Sequence, residues 1–175
     1  MAGTKMNENA HPAGDPLFVD LHDDDPALLA ATIQAREKLA QFKAAFLARQ
    51  FEPAVYVLKV PFVDRSDIGQ PALVGTSEVV AENPKRPIAH LWLGVTSALD
   101  DLFFCYVGEA PKQLGLTKGD SFVIGEELIE DWMVNQQGVA YGGFSLRVAR
   151  TRLGEVDKRR FDEHTGIHEF KQEMP

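Results

Sequence analysis

By residue type, Asp131 and His90 are the residues best suited to move a proton. Asp131 stands beside Trp132 and follows Glu126, Glu127 and Glu130. A carboxyl held against an apolar ring keeps its proton to higher pH than one in water, as a general acid must. His90 would be the complementary base, which defines a hydrolase-type alternative. Neighbouring residues of a strand face opposite ways, however, so Asp131 and Trp132 do not share a face. The simpler expectation for Asp131 is a carboxylate that caps backbone amides at a turn.

Other groups with reactive or ligating side chains are weaker. His164 and His168 are four apart, the spacing that brings two imidazoles onto one helical face, but Gly166 lies between them and no second ligand pair follows. No metal and no cofactor are expected. Arg147, Arg150 and Arg152, continued by Lys158, Arg159 and Arg160, concentrate positive charge, yet Glu155, Asp157, Asp162 and Glu163 interleave with them, as on an ion-paired surface. The single cysteine, Cys105, sits among Phe103, Phe104 and Tyr106 and reads as a small buried hydrophobe. The chain has no Gly-x-Ser-x-Gly elbow, no glycine-rich phosphate loop before a helix and no cysteine pair.

Charge narrows the partners. The formal net charge is −8, and the first 25 residues hold Lys5 against six acids, so a phosphate backbone is repelled there and nucleic acid is not an expected partner. No apolar run approaches the roughly 20 residues of a membrane span, and Met1–Gly14 lacks the apolar core of a secretory signal, so a cytoplasmic protein is expected.

Several elements must position these groups. Residues 1–16 carry no periodicity and are expected as a disordered tail, with Leu17–Leu21 as an extended arm. Asp25 followed by Pro26 is a helix start, and Leu28, Thr32, Ala35, Leu39, Phe42 and Phe46 then recur at spacings of four and three, the stripe of one long helix. Leu29, Ile33, Ala40 and Leu47 would widen that arc, with Arg36 and Lys43 reaching out from its middle. Val55–Val60 reads as a strand limited by Pro61. Residues 64–87 form a long excursion, longer than a compact domain ordinarily needs. Ile88–Val95 and Leu102–Val107, joined at Asp100 and Asp101, read as a hairpin of core strands. Gly119 and Asp120 feed a strand at Ser121–Ile124, and residues 135–138 join Trp132–Val134 to Val139–Tyr141. Gly142 and Gly143 mark a bend; Phe144–Leu153 then fits strand alternation for five residues and helix spacing through Leu146, Ala149 and Leu153, so both strand and helix stay open there with helix favoured, and Glu155–His164 reads as a helix stopped by Gly166.

The expected fold is therefore α+β: a twisted antiparallel sheet of about five to six strands, packed by a long N-terminal helix, with a shorter C-terminal helix. One domain covers residues 17–170, and 171–175 is a tail.

The order of His90 and Trp92, Gly119 and Asp120, Ile129, Asp131, Trp132 and Met133, then Gly142, Gly143 and Arg147 resembles the uncharacterised bacterial domain family typified by YegJ-like proteins. The resemblance covers roughly residues 26–155. Ala89 and Ser145 depart from it, where an acid and a threonine are expected. It implies the same fold and brings no activity.

The leading functional expectation is a small cytoplasmic binding or accessory module without catalysis. Its binding residues would be Trp132, Asp131, Tyr141, Arg147 and His90, on a face formed with the 64–87 excursion, because aromatic and arginine side chains anchor interfaces. The partner is expected to be a protein or a small ligand, with no membrane involved.

Overall fold

The computed structural model describes residues 25–63, 88–109 and 114–175. The expected tail at 1–16, the arm at 17–21 and the 64–87 excursion lie outside them.

Asp25 Oδ1 accepts the Ala27 N–H at 2.9 Å and Pro26 takes the first helical position, so α1 runs Pro26–Glu37 from the point those two residues set. The expected long helix is in fact two. Lys38, at φ −102° and ψ 5°, separates α1 from α2, Leu39–Leu47. The cause is tertiary: the Ala35 carbonyl accepts the Trp132 indole N–H at 2.8 Å, and a side chain that enters the helical hydrogen-bond ladder kinks it there. Ala35, Leu39 and Phe42 of the stripe are buried. Leu29, Ile33, Ala40 and Leu47 face outward instead of widening it, because the helices seat on the sheet along Ala31, Ala35 and Ala45.

Among the described residues seven strands follow: β1 Val55–Val63, β2 Ile88–Leu99, β3 Leu102–Val107, β4 Ser121–Gly125, β5 Asp131–Gln136, β6 Val139–Gly142 and β7 Glu169–Lys171. They form one sheet in the order β4-β3-β2-β1-β5-β6-β7, with every pair antiparallel except β6 and β7. The fold is α+β, with more strands than expected. β7 is three residues long, too short to show alternation, and it pairs in parallel with β6 after two helices, α3 Phe144–Thr151 and α4 Glu155–Thr165. Residues 171–175 are not simply a tail, since Lys171 closes β7 and Met174 packs against the core.

Arg36 and Lys43 do reach outward from the helices. Arg36 Nε donates to the Ile129 carbonyl at 3.1 Å, while Lys43 donates to the Asp100 carbonyl and pairs with Glu126 at 2.6 Å. They tie the helices to the β2–β3 turn and to the connection between β4 and β5.

Alternation sorts the side chains. Leu58, Val60 and Phe62 of β1, Leu91 and Leu93 of β2, Phe103, Cys105 and Val107 of β3, and Trp132 and Val134 of β5 form the core beneath α1 and α2. Cys105 is 2% exposed, and burial pushes its thiol up to about 12. Since the thiolate is the reactive form, Cys105 is expected to resist a thiol-specific reagent at pH 8 in the native protein and to react at once in denaturant. Rapid native labelling would overturn its place in the core.

Candidate functional site

At Gly142 β6 ends, so the first residues of β5 have no sheet neighbour on that side, and the N-terminus of α3 takes its place. Gly143 N–H donates to the Trp132 carbonyl at 2.7 Å. The Asp131 carboxylate accepts four bonds: from the backbone N–H groups of Trp132 at 2.8 Å, Phe144 at 3.2 Å and Ser145 at 2.7 Å, and from Ser145 Oγ at 2.7 Å. These include first-turn amides of α3, which an acid stabilises both by bonding and by charge. Burial pushes the Asp131 carboxyl above its ordinary value, and the four donors pull against that rise. Asp131 is thus a capping group, fully enclosed, with its acceptor sites used by the fold. Gly142 makes the arrangement possible: at φ 74°, a Cβ there would lie 2.3 Å from the Trp132 carbonyl oxygen.

The other expected binding residues are dispersed. Trp132 is 2% exposed and sits between Phe42, tilted against it at 5.4 Å between centroids, and Phe144, edge-on at 5.5 Å. Tyr141 lies on the same side of the sheet, half-buried, its ring 4.6 Å from that of Phe51. Arg147 donates to the Gly142 and Lys171 carbonyls and lies over the rings of Phe144 and Phe170, which fastens α3 to β6 and β7. Desolvation lowers its affinity for the proton, and the nearby Asp131 charge restores part of it. These residues do not form one exposed face.

His90 occupies the opposite, outer side of the sheet, and among the described residues its acidic partner is Glu130, not Asp131. His90 Nδ1 lies 2.6 Å from Glu130 Oε2, and Lys59 Nζ lies 4.0 Å from the same oxygen. Trp92, which pairs with Lys59 across β1 and β2, joins them on this side. The cluster joins a base, an acid and a cation, each between 15 and 27% exposed in its side chain. A carboxylate of this kind orients an imidazole and fixes its tautomer, which suits either proton transfer or polar recognition of a ligand. Glu130 and Lys59 carry no sequence signal that marks them as partners of His90. Their contact depends on the pairing of β1 with both β2 and β5, to which no local motif points.

The outer side continues as an apolar surface. Leu102, Phe104 and Tyr106 alternate along β3 at 38, 38 and 37% exposed, and Val123 of β4, which pairs with Phe104, is 52% exposed. Their neighbours Phe103, Cys105 and Val107 are at most 2% exposed. The Tyr106 ring lies across Gly94, whose missing side chain leaves room for it. Tyr106 also lines a groove of about 470 Å³ that opens where β2 runs on past the start of β1, with Phe46, Val55, Thr96 and Ala98 on its walls. β3, expected as a core strand, has two faces that are both apolar. One of those faces is open.

For metal, the two C-terminal histidines do not share a helical face. α4 ends at Thr165 and Gly166 turns at φ 64°, placing His168 beyond the helix. Among the described residues, no three His, Cys, Asp or Glu side chains converge as a ligand set, and no helix is long and apolar enough to cross a membrane.

A family model described as "Uncharacterized protein conserved in bacteria (DUF2314)" matches residues 25–170. No curated protein and no solved structure matches the chain.

Proposed function

The chain belongs to this family of bacterial proteins, and from that premise we propose that it is a binding module whose ligand-facing surface is the outer side of the sheet. The observation that carries this is the row of Leu102, Phe104 and Tyr106 with Val123, large apolar side chains left open while their alternates are sealed in the core. Monomeric proteins rarely leave contiguous apolar surface open without a use for it. Aromatic side chains beside a polar cluster are the usual composition of a recognition surface, and here Trp92 pairs across the strands with Lys59, which shares Glu130 with His90. The face expected around Trp132 and Tyr141 is replaced by this one. Asp131, bound by four donors, is not available as the acid of a hydrolase.

The double substitution Phe104→Ser with Tyr106→Ser tests the proposal. Each ring is more than half covered and Tyr106 lies across Gly94, so the double variant is expected to lose about 1–3 kcal/mol and stay folded, which circular dichroism checks. Affinity capture from a bacterial lysate, read by mass spectrometry, is expected to lose the proteins or ligands that the unmodified chain retains. Equal capture by the two, with the double variant folded, would move the binding surface elsewhere.

A further inference from the structure

We propose that β4 is a docking edge: an extended segment of a partner protein, carrying Lys or Arg at its N-terminal end, adds to the sheet antiparallel to Ser121–Gly125. The inference rests on the outer side of the sheet being the binding surface, and it names what that surface receives. β4 is the last strand of the sheet, and among the described residues nothing pairs with its other side. The Val107 N–H donates to the Asp120 carbonyl at 2.9 Å and the Glu126 N–H donates to the Asp101 carbonyl at 2.9 Å, so the even-numbered residues of β4 bond inward to β3. Alternation then turns the backbone N–H and C=O groups of Ser121, Val123 and Gly125 outward.

Edges of this kind are ordinarily blunted by a lysine, a proline or an inward-pointing charge. Ser121, Phe122, Val123, Ile124 and Gly125 include none of these. The Val123 side chain continues the apolar row of Phe104 on the outer side, so an added strand would find both backbone partners and an apolar neighbour for alternate side chains.

Charge selects the occupant. At the Gly125 end, the exposed carboxylates of Asp101 and Glu127 have no cationic partner among the described residues, and the whole chain carries −8. In a self-pairing centred on Val123, Asp120 of each copy would stand opposite Glu126 of the other, acid against acid. A segment running antiparallel brings its N-terminal end to Asp101 and Glu127, where Lys or Arg is favoured.

Panning a random peptide display library on the intact protein tests this. The selected peptides are expected to alternate apolar residues behind an N-terminal Lys or Arg. N-methylation of the peptide amides that face β4 is expected to weaken binding at least about tenfold, while methylating the alternate amides has little effect. Val123→Pro, and separately Asp101→Lys with Glu127→Lys, are expected to weaken it comparably. Peptides without alternation or basic ends, or indifference to which amides are methylated, would overturn the proposal. So would a chain that sediments as a dimer and becomes monomeric with Val123→Pro, because the occupant would then be a second copy. Binding lost with Phe104→Ser and Tyr106→Ser but kept with Val123→Pro removes the edge and leaves the outer surface. The reverse pattern removes the surface reading and leaves the edge.

Discussion

Trp132→Ala is expected to lower the unfolding free energy by roughly 3–5 kcal/mol, the range for truncating a large aromatic in a packed core. The indole is enclosed at 2% exposure by Phe42 and Phe144, and its N–H holds the Ala35 carbonyl at 2.8 Å where the two N-terminal helices break. Truncation therefore leaves a cavity between the helices and β5 and removes one of the two donors to the Ala35 carbonyl, which keeps the Lys38 N–H at 3.2 Å. Trp132→Phe separates the two contributions, since it keeps a ring against Phe42 and loses the indole donor, with an expected cost of about 1–2 kcal/mol. Urea denaturation read by circular dichroism measures both variants. A loss below about 1 kcal/mol for the alanine variant would place Trp132 outside the core.

Asp131→Ala is expected to cost a similar amount, roughly 3–5 kcal/mol, for a different reason. Nothing large is removed, but three backbone N–H groups and the Ser145 hydroxyl lose their common acceptor in a site closed to water. Each buried donor left without a partner costs about 1–3 kcal/mol. Asp131→Asn keeps one acceptor oxygen for Trp132 and Phe144 and turns an amide NH₂ group toward the Ser145 N–H, so it is expected to recover only part of the loss. The helix that should fray is α3, and hydrogen exchange at Phe144 and Ser145 should quicken before exchange at Leu58 or Phe103. Unchanged protection at those two amides in the alanine variant would mean that α3 does not depend on this cap.

Local signals in the sequence determined much of the fold. Asp25 and Pro26 start a helix because one side chain accepts an orphan amide and the next residue has none to orphan. Gly166, at φ 64°, ends α4, and Asp100 at φ 51° turns the hairpin between β2 and β3. The capping role expected of Asp131 is also present, and the paired glycines after it do make a bend at positive φ.

Only the tertiary structure decided which strand lies beside which. β1 sits between β2 and β5, far from its place in the chain order, and that placement brings Glu130 to His90 and leaves Asp131 facing α3. Pairing between segments distant in sequence depends on the packing of whole faces, so no window of neighbouring residues reports it. The same limit applied to the open surface. In β3 both alternating sets are apolar, and which set meets α1 and α2 is fixed by the side on which those helices pack. It also applied to the N-terminal helix, whose period continues through Lys38 in the sequence but whose ladder is broken by an indole arriving from Trp132, almost a hundred residues downstream.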